Sequence, residues 1–248
     1  MIINHLGMII FIGDAMEICR NGSIRYRGSQ REKSQAAIGS VDYHYPRVYI
    51  FSMRIGILTD THLPGAIREL DELGPEPASF FSNVDLILHG GDLTSPMVLD
   101  WLEQFAPVIC ATGNNDPIPD PRTKDVQTLD VHGWSIGMVH SLDRQFRPMS
   151  ELQEHFPAPV DIMVAGHTHL EVLEYRDGVV LLNTGSITFP HHKELRLGAV
   201  GLLELAPGKL HAEIIVLGHT PGRPNPCQAM TLDIQDGRVV SSNGVNGV

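Results

Sequence analysis

Long apolar runs are missing from this sequence. None approaches the ~18 residues that a membrane-spanning helix needs, so no membrane partner is expected. Cysteine is scarce: Cys19, Cys110 and Cys227 are odd in number and far apart. That excludes a disulfide framework and a zinc-ribbon spacing, and it fits a reducing compartment, with the cytoplasm as the expected location. Basic charge is in short supply, 18 Lys and Arg against 29 Asp and Glu, for a net charge of −11. A generic electrostatic grip on nucleic acid is therefore not expected, and no specific nucleic acid is expected as partner. A secretory signal is also not expected. The early run LGMIIFI has no basic leader and is cut short by Gly13 and Asp14.

What remains is ordinary for a globular chain, with 42% hydrophobic residues available for a core. Residues 1–52 differ from the rest. NGSIRYRGSQREKSQ is polar, basic and without period, as a disordered segment is, and Met53 stands directly before the first clear strand. The expectation is that 1–52 is a disordered or non-native extension. Beyond it, 12 basic and 25 acidic residues give a net −13. Between Arg54 and about Leu217, strand and helix alternate in the first half and antiparallel hairpins dominate the second. RIGILT, DLILH, PVICAT and VDIMVAG read as buried strands. AIREL-DEL has helical spacing at Ile67, Leu70 and Leu73, ended by Gly74, Pro75 and Pro77. Ser95–Pro96 reads as N-cap and first turn of the helix MVLDWLEQF, and MSELQEHF reads as a short helix. His132–Gly133, Asp177–Gly178 and Pro207–Gly208 mark three hairpin turns. Residues 218–248 are rich in Gly, Pro, Asn and Ser, with one further hairpin available in TLDIQDGRVV.

Four of the apolar runs end in residues that bind metals: RIGILTDTH, DLILHGGD, PVICATGNND and DIMVAGHTH. A fifth, WSIGMVH, adds His140. Ligands of open α/β sheets bind outside the carboxyl ends of the strands. Asp60, His62, Asp92, Asn114, His140, His167 and His169 are thus expected at one mouth. Each alone has an ordinary explanation: Asn114 as a turn residue, His140 as a satisfied core histidine, and an Asp-x-His triplet by chance, since it occurs three times here. The weight lies in the set and its order. His191 and His192 read as surface residues.

Two carboxylates, one amide oxygen and four imidazoles, with no thiolate, suit Mn, Fe, Zn, Ni or Co. Seven donors exceed the need of one tetrahedral ion and are about right for two if a carboxylate bridges. Such a pair activates a water and holds both oxygens of a phosphoryl displacement.

DTH, GGD, GNND, the lone His140 and GHTH, in that order, resemble the calcineurin-like metallophosphoesterase superfamily. The short spacings and NTGSITFP at 183–190 are most similar to its small phosphodiesterases of the YfcE type. The resemblance covers roughly 53–217 and implies a metallo-dependent phosphatase-like domain, a four-layer α/β/β/α sandwich of two mixed sheets flanked by helices. It implies one ion on Asp60, His62, Asp92 and His169, and a second on Asp92, Asn114, His140 and His167, with Asp92 bridging. The ions are expected to be Mn, with Ni, Fe, Zn, Co or Mg as alternatives. The catalytic set is Asp92, Asn114, His140 and His167, acting through the metal centre, and a bridging hydroxide attacks phosphorus. Gly185–Ser186 is expected beside the site without a catalytic role. Asn115 stands where many members of the superfamily carry a candidate general acid, His, so a small phosphodiester with an acidic leaving group is the expected substrate. Alternatives are a phosphomonoesterase or nucleotidase, and a non-catalytic scaffold like the retromer subunit of this fold. Homo-oligomerisation is left open.

Overall fold

The computed structural model describes residues 52–142 and 147–247, together with four short strand segments before them. Those segments pair as two small antiparallel units, Ile2–Ile3 with Ile9–Ile10 and Met16–Ile18 with Ile24–Tyr26. Apart from them, the expected disordered extension lies outside the described residues. The chain divides at Arg47/Val48 into two compact units, and the second carries all of the candidate site.

In that unit an eight-stranded mixed sheet is built from β1 (Met53–Leu58), β2 (Leu86–His89), β3 (Val108–Ala111) and β4 (Thr123–Lys124), all parallel. β10 (Ala199–Ala206), β11 (Lys209–Val216), β12 (Met230–Gln235) and β13 (Arg238–Asn243) extend it antiparallel beyond β1. The second sheet has five strands: β5 (Val126–Val131), β6 (Trp134–Val139), β7 (Ile162–Ala165), β8 (Glu171–Arg176) and β9 (Val179–Thr184). Its spatial order is β8-β9-β7-β6-β5, with β6, β7 and β9 parallel.

The layering follows from the two-residue period of strands. On β1 and β2, Ile55, Ile57, Leu86 and Leu88 join Ile162, Val164, Val180 and Leu182 of the other sheet in one core. The alternate residues Leu58 and Ile87 turn outward, where Phe81 of α1 (Glu76–Phe81) and Leu99 and Leu102 of α2 (Met97–Leu102) cover them. On the far side Met163, Val179 and Leu181 meet Met149 and Leu152 of α3 (Met149–Gln153). Helix, sheet, sheet and helix therefore stack as four layers, and strands buried on both faces read as continuous apolar runs. Among the described residues, no helix is long and apolar enough to cross a membrane.

The turn chemistry is direct. His132–Gly133, Asp177–Gly178 and Asp236–Gly237 all have positive φ at both central residues, the type I′ geometry that matches strand twist. The last joins β12 to β13, which add to the sheet edge with a register shift at Asp233/Ile234.

The helices differ from expectation. AIREL-DEL forms only a 3₁₀ turn, Leu70–Leu73, closed by the Glu69–Glu72 capping box. The helix lies after it, at Glu76–Phe81, through the prolines expected to end one. Proline within the first helical turn costs no hydrogen bond, so Pro75 and Pro77 start this helix instead of breaking one. α2 ends at Leu102, three residues short of Phe105, and is N-capped by Pro96; Ser95 Oγ accepts from Met97 N only at 3.4 Å.

Candidate metal centre

All seven expected donors gather beyond the carboxyl ends of β1, β2, β3, β6 and β7. The loop after β1 carries Asp60 and His62, that after β2 Asp92, that after β3 Asn114, and those after β6 and β7 His140 and His167–His169. Asp60, His62 and His169 bring one donor atom each within 4.8 Å of one another, and so do Asp92, His140 and His167. Asp92 faces both groups. Its Oδ2 is 3.6 Å from His62 Nε2, and its Oδ1 is 3.4 Å from His140 Nε2. Asn114 Oδ1 lies 3.0 Å from both His140 Nε2 and His167 Nδ1.

Close approach of the donors comes with strained backbone. Asp60, His62, Asp92, His167 and His169 all have φ between 48° and 70°. That left-handed conformation costs a non-glycine residue ~1–2 kcal/mol and clusters at functional sites. Glycines supply the remaining room. A Cβ on Gly113 would overlap the Asp92 backbone nitrogen and carboxylate, and one on Gly166 would overlap Thr59 Oγ1.

The protonation pattern asks for cations. His169 Nδ1 lies 2.9 Å from Phe189 O, which can only accept, so Nδ1 holds the proton and Nε2 presents a lone pair. That lone pair faces His62 Nε2 at 3.1 Å and Asp60 Oδ1 at 3.6 Å. Burial lowers both histidines below their ordinary range, toward the neutral form. His140 Nδ1 likewise donates to Gly90 O at 2.8 Å, which turns Nε2 toward the acceptors Asn114 Oδ1 and Asp92 Oδ1. Either a cation or a second proton on His140 would serve those acceptors. Burial pushes its pKa down, but Asp92 and Asp60 outweigh burial and raise it. Burial likewise lifts the Asp60 carboxyl to about 6, against the hydrogen bond from Thr59 Oγ1 at 2.6 Å. Asp92 goes the other way. Burial raises it, but hydrogen bonds from His140 and Asn115 prevail and hold it well below the usual carboxylate range. Converging lone pairs and an ionised carboxylate are what divalent ions satisfy, so the residues fit metal.

The bracing contacts of the supporting residues carry no mark in the sequence. Asp116 accepts from Asp92 N at 3.0 Å, Thr94 N at 2.8 Å and Gly113 N at 2.7 Å, tying two donor loops together. Within GNNDP it reads only as turn chemistry. Asn115 donates N–H to Asp92 Oδ1 at 2.7 Å and Nδ2–H to Oδ2 at 2.8 Å, leaving each oxygen a lone pair for an ion. His89, kept neutral by burial with a pKa of about 3, accepts from Gly91 N at 3.1 Å and faces Thr61 Oγ1 at 3.2 Å. Ser186 Oγ donates to Asp60 O at 2.7 Å, a bracing contact. His191 is half-buried against Glu171, not a free surface residue. His192 is exposed as expected, and its ring stacks on His169 with centroids 4.2 Å apart. Asp116→Ala should cost roughly 2 kcal/mol through three orphaned N–H groups. It should also weaken metal binding about 10- to 100-fold. Chemical denaturation and metal titration of the variant check both.

A family model described as the calcineurin-like phosphoesterase superfamily domain matches residues 53–208. The chain belongs to this superfamily. A probable metallophosphoesterase of Methanothermobacter thermautotrophicus is 35% identical over 170 residues, spanning 67% of this chain and 94% of its own. A phosphodiesterase of Methanocaldococcus jannaschii is 26% identical over 148 residues, 54% of this chain and 83% of that one. Among solved structures, wild-type Vps29 of Entamoeba histolytica complexed with Zn²⁺ matches with a TM-score of 0.57. It shares 19% identity over 74% of this chain and 99% of its own, a likeness of fold alone. The four-layer sandwich that the resemblance implies is thus the fold observed.

Proposed function

We propose that this phosphoesterase is a phosphodiesterase with a dinuclear metal centre. The observation that carries the reading is Asp92, whose two carboxylate oxygens face separate nitrogen groups, His62 on one side and His140 on the other. Asp60, His62, Asp92 and His169 would hold one ion, and Asp92, Asn114, His140 and His167 the other. Oxygen and imidazole donors without thiolate suit Mn, the ion proposed here, and also Ni, Fe, Zn or Co, with Mg as a further alternative. When bound, such ions lower the pKa of a water and withdraw charge from phosphoryl oxygens.

The chain's own residues do the rest. Asn115 fixes the Asp92 carboxylate through both its N–H groups. It is an amide and can offer no proton to a leaving group at neutral pH, which favours esters whose leaving group needs none. Two open grooves meet at Asn114. One is lined by His62, Thr94, Asn115 and Pro117, the other by Asp125, His140, His155 and His167. Two grooves either side of the donors suit a phosphorus that carries two ester arms, and the phosphodiesterase named among the relatives agrees. The free thiols Cys110 and Cys227 fit a cytoplasmic setting.

After Mn²⁺ reconstitution, an aryl phosphodiester should be hydrolysed at least about tenfold faster than an alkyl monoester of equal size, read as kcat/KM. A faster monoester would make the protein a phosphomonoesterase or nucleotidase. No turnover of either, with the ions bound, would leave the scaffold role known from this fold.

A further inference from the structure

A third set of donors lies outside the centre just described. Glu171 opens β8, His191 lies in the 3₁₀ turn Pro190–His192, and Cys227 lies in the segment linking β11 to β12. One donor atom from each falls within 4.8 Å of the other two. His191 Nε2 is 2.8 Å from Glu171 Oε2, and the Glu171 side chain is only 5% exposed. Its Oε1 is fixed by Gln228 N at 2.9 Å, and Asn225 Oδ1 accepts from Cys227 N at 3.0 Å, so both partners are held in place.

We propose that Glu171, His191 and Cys227 form a separate site for a thiophilic divalent cation of the Zn²⁺ class. A thiolate, an imidazole and a carboxylate make a softer set than the seven donors of the catalytic centre, which contain no sulfur. Three protein ligands leave a fourth tetrahedral position for solvent, and the 27% exposure of the His191 side chain provides an opening to it. Charge also balances. One dication with a thiolate and a carboxylate is neutral, which suits a carboxylate this buried. Binding replaces the thiol proton, which leaves to solvent, by the metal–sulfur bond. The ion would act as a staple. Cys227 lies beyond the residues 53–208 that the family model matches, so the site ties an additional segment to the catalytic domain. It would tie it close to a catalytic donor, since His191 N donates to His169 O at 2.9 Å.

Titration of the full chain with Co²⁺ tests the site, because thiolate-to-cobalt charge transfer absorbs in the near ultraviolet and the catalytic centre has no thiolate to produce it. The wild type should show the band. Asp92→Ala, which dismantles the catalytic centre, should keep it, so the two readings fail separately. Cys227→Ala should lose it, and in Zn²⁺ titrations should bind one equivalent fewer than the wild type. Cys227→Ser, the milder change, should likewise lose the band and confirms that the loss is not one of folding if its circular dichroism matches the wild type. No band in the wild type at saturating Co²⁺, or a band that survives Cys227→Ala, would overturn the proposal; the first result leaves only a hydrogen-bonded triad.

Discussion

Replacing Asp92 by Ala should lower phosphodiester turnover at least about 1,000-fold, with both ions lost together. Metal ions in such a centre would supply several kcal/mol of charge stabilisation in the transition state, and each 1.36 kcal/mol is tenfold in rate. Asp92 is the residue whose oxygens address both donor groups, so its removal should not spare either. Asp92→Asn is the sharper probe. An amide offers one oxygen where the carboxylate offered two, so stoichiometry should fall toward one ion per chain. Metal content after gel filtration, paired with the diester assay, reads both effects. Full occupancy with wild-type turnover in Asp92→Ala would contradict the assignment.

Asp60→Asn should do something less intuitive: stabilise the metal-free protein while weakening its response to metal. Burial lifts the Asp60 carboxyl to about 6, so the folded chain holds its proton more tightly than the unfolded chain does. Between pH ~4 and ~6 the unfolded state therefore binds fewer protons, and stability falls as pH rises through that window. At neutral pH the accumulated cost is ~3 kcal/mol, since each tenfold difference in proton affinity between the two states is worth ~1.4 kcal/mol. An Asn there has no charge to bury and can still accept from His167 N, which now lies 3.0 Å from Asp60 Oδ2. In chelator at pH 7 the variant should melt about 6–12 °C above the wild type, given ~2–4 °C per kcal/mol at this domain size. With saturating Mn²⁺ the gap should shrink or reverse, because the wild type gains from both ions and the variant has lost the Asp60 carboxylate that would hold one of them. Equal melting temperatures in chelator would show that the Asp60 carboxylate carries no burial penalty.

The doubly buried strands and the donor residues at their ends are legible in the sequence, because apolar runs such as DLILH meet polar residues abruptly. The hairpin turns stand out because positive φ demands Gly beside Asp or His. Helix positions are harder to read. With six residues or fewer, α1, α2 and α3 span fewer than two helical turns, too few for the spacing to repeat, and their stability comes from packing on the sheets. The bracing roles of Asp116, Asn115 and His89 are hidden for another reason, although Asn115 itself stands out within GNND. Their work is to hold other residues largely through contacts made across 22 to 28 positions of the chain, and no local pattern marks such contacts. His191 reads as a surface residue on the same account, since the Glu171 that half-buries it lies 20 positions away. The backbone strain at five of the seven donors is equally invisible in sequence, since Asp and His at those positions give no hint of left-handed φ.

Anomalous diffraction at the manganese edge, from crystals grown with Mn²⁺, addresses the shared-carboxylate centre most directly. Two peaks should flank Asp92, one bounded by Asp60, His62 and His169, the other by Asn114, His140 and His167. A single peak, or two peaks that do not both touch Asp92, would contradict it.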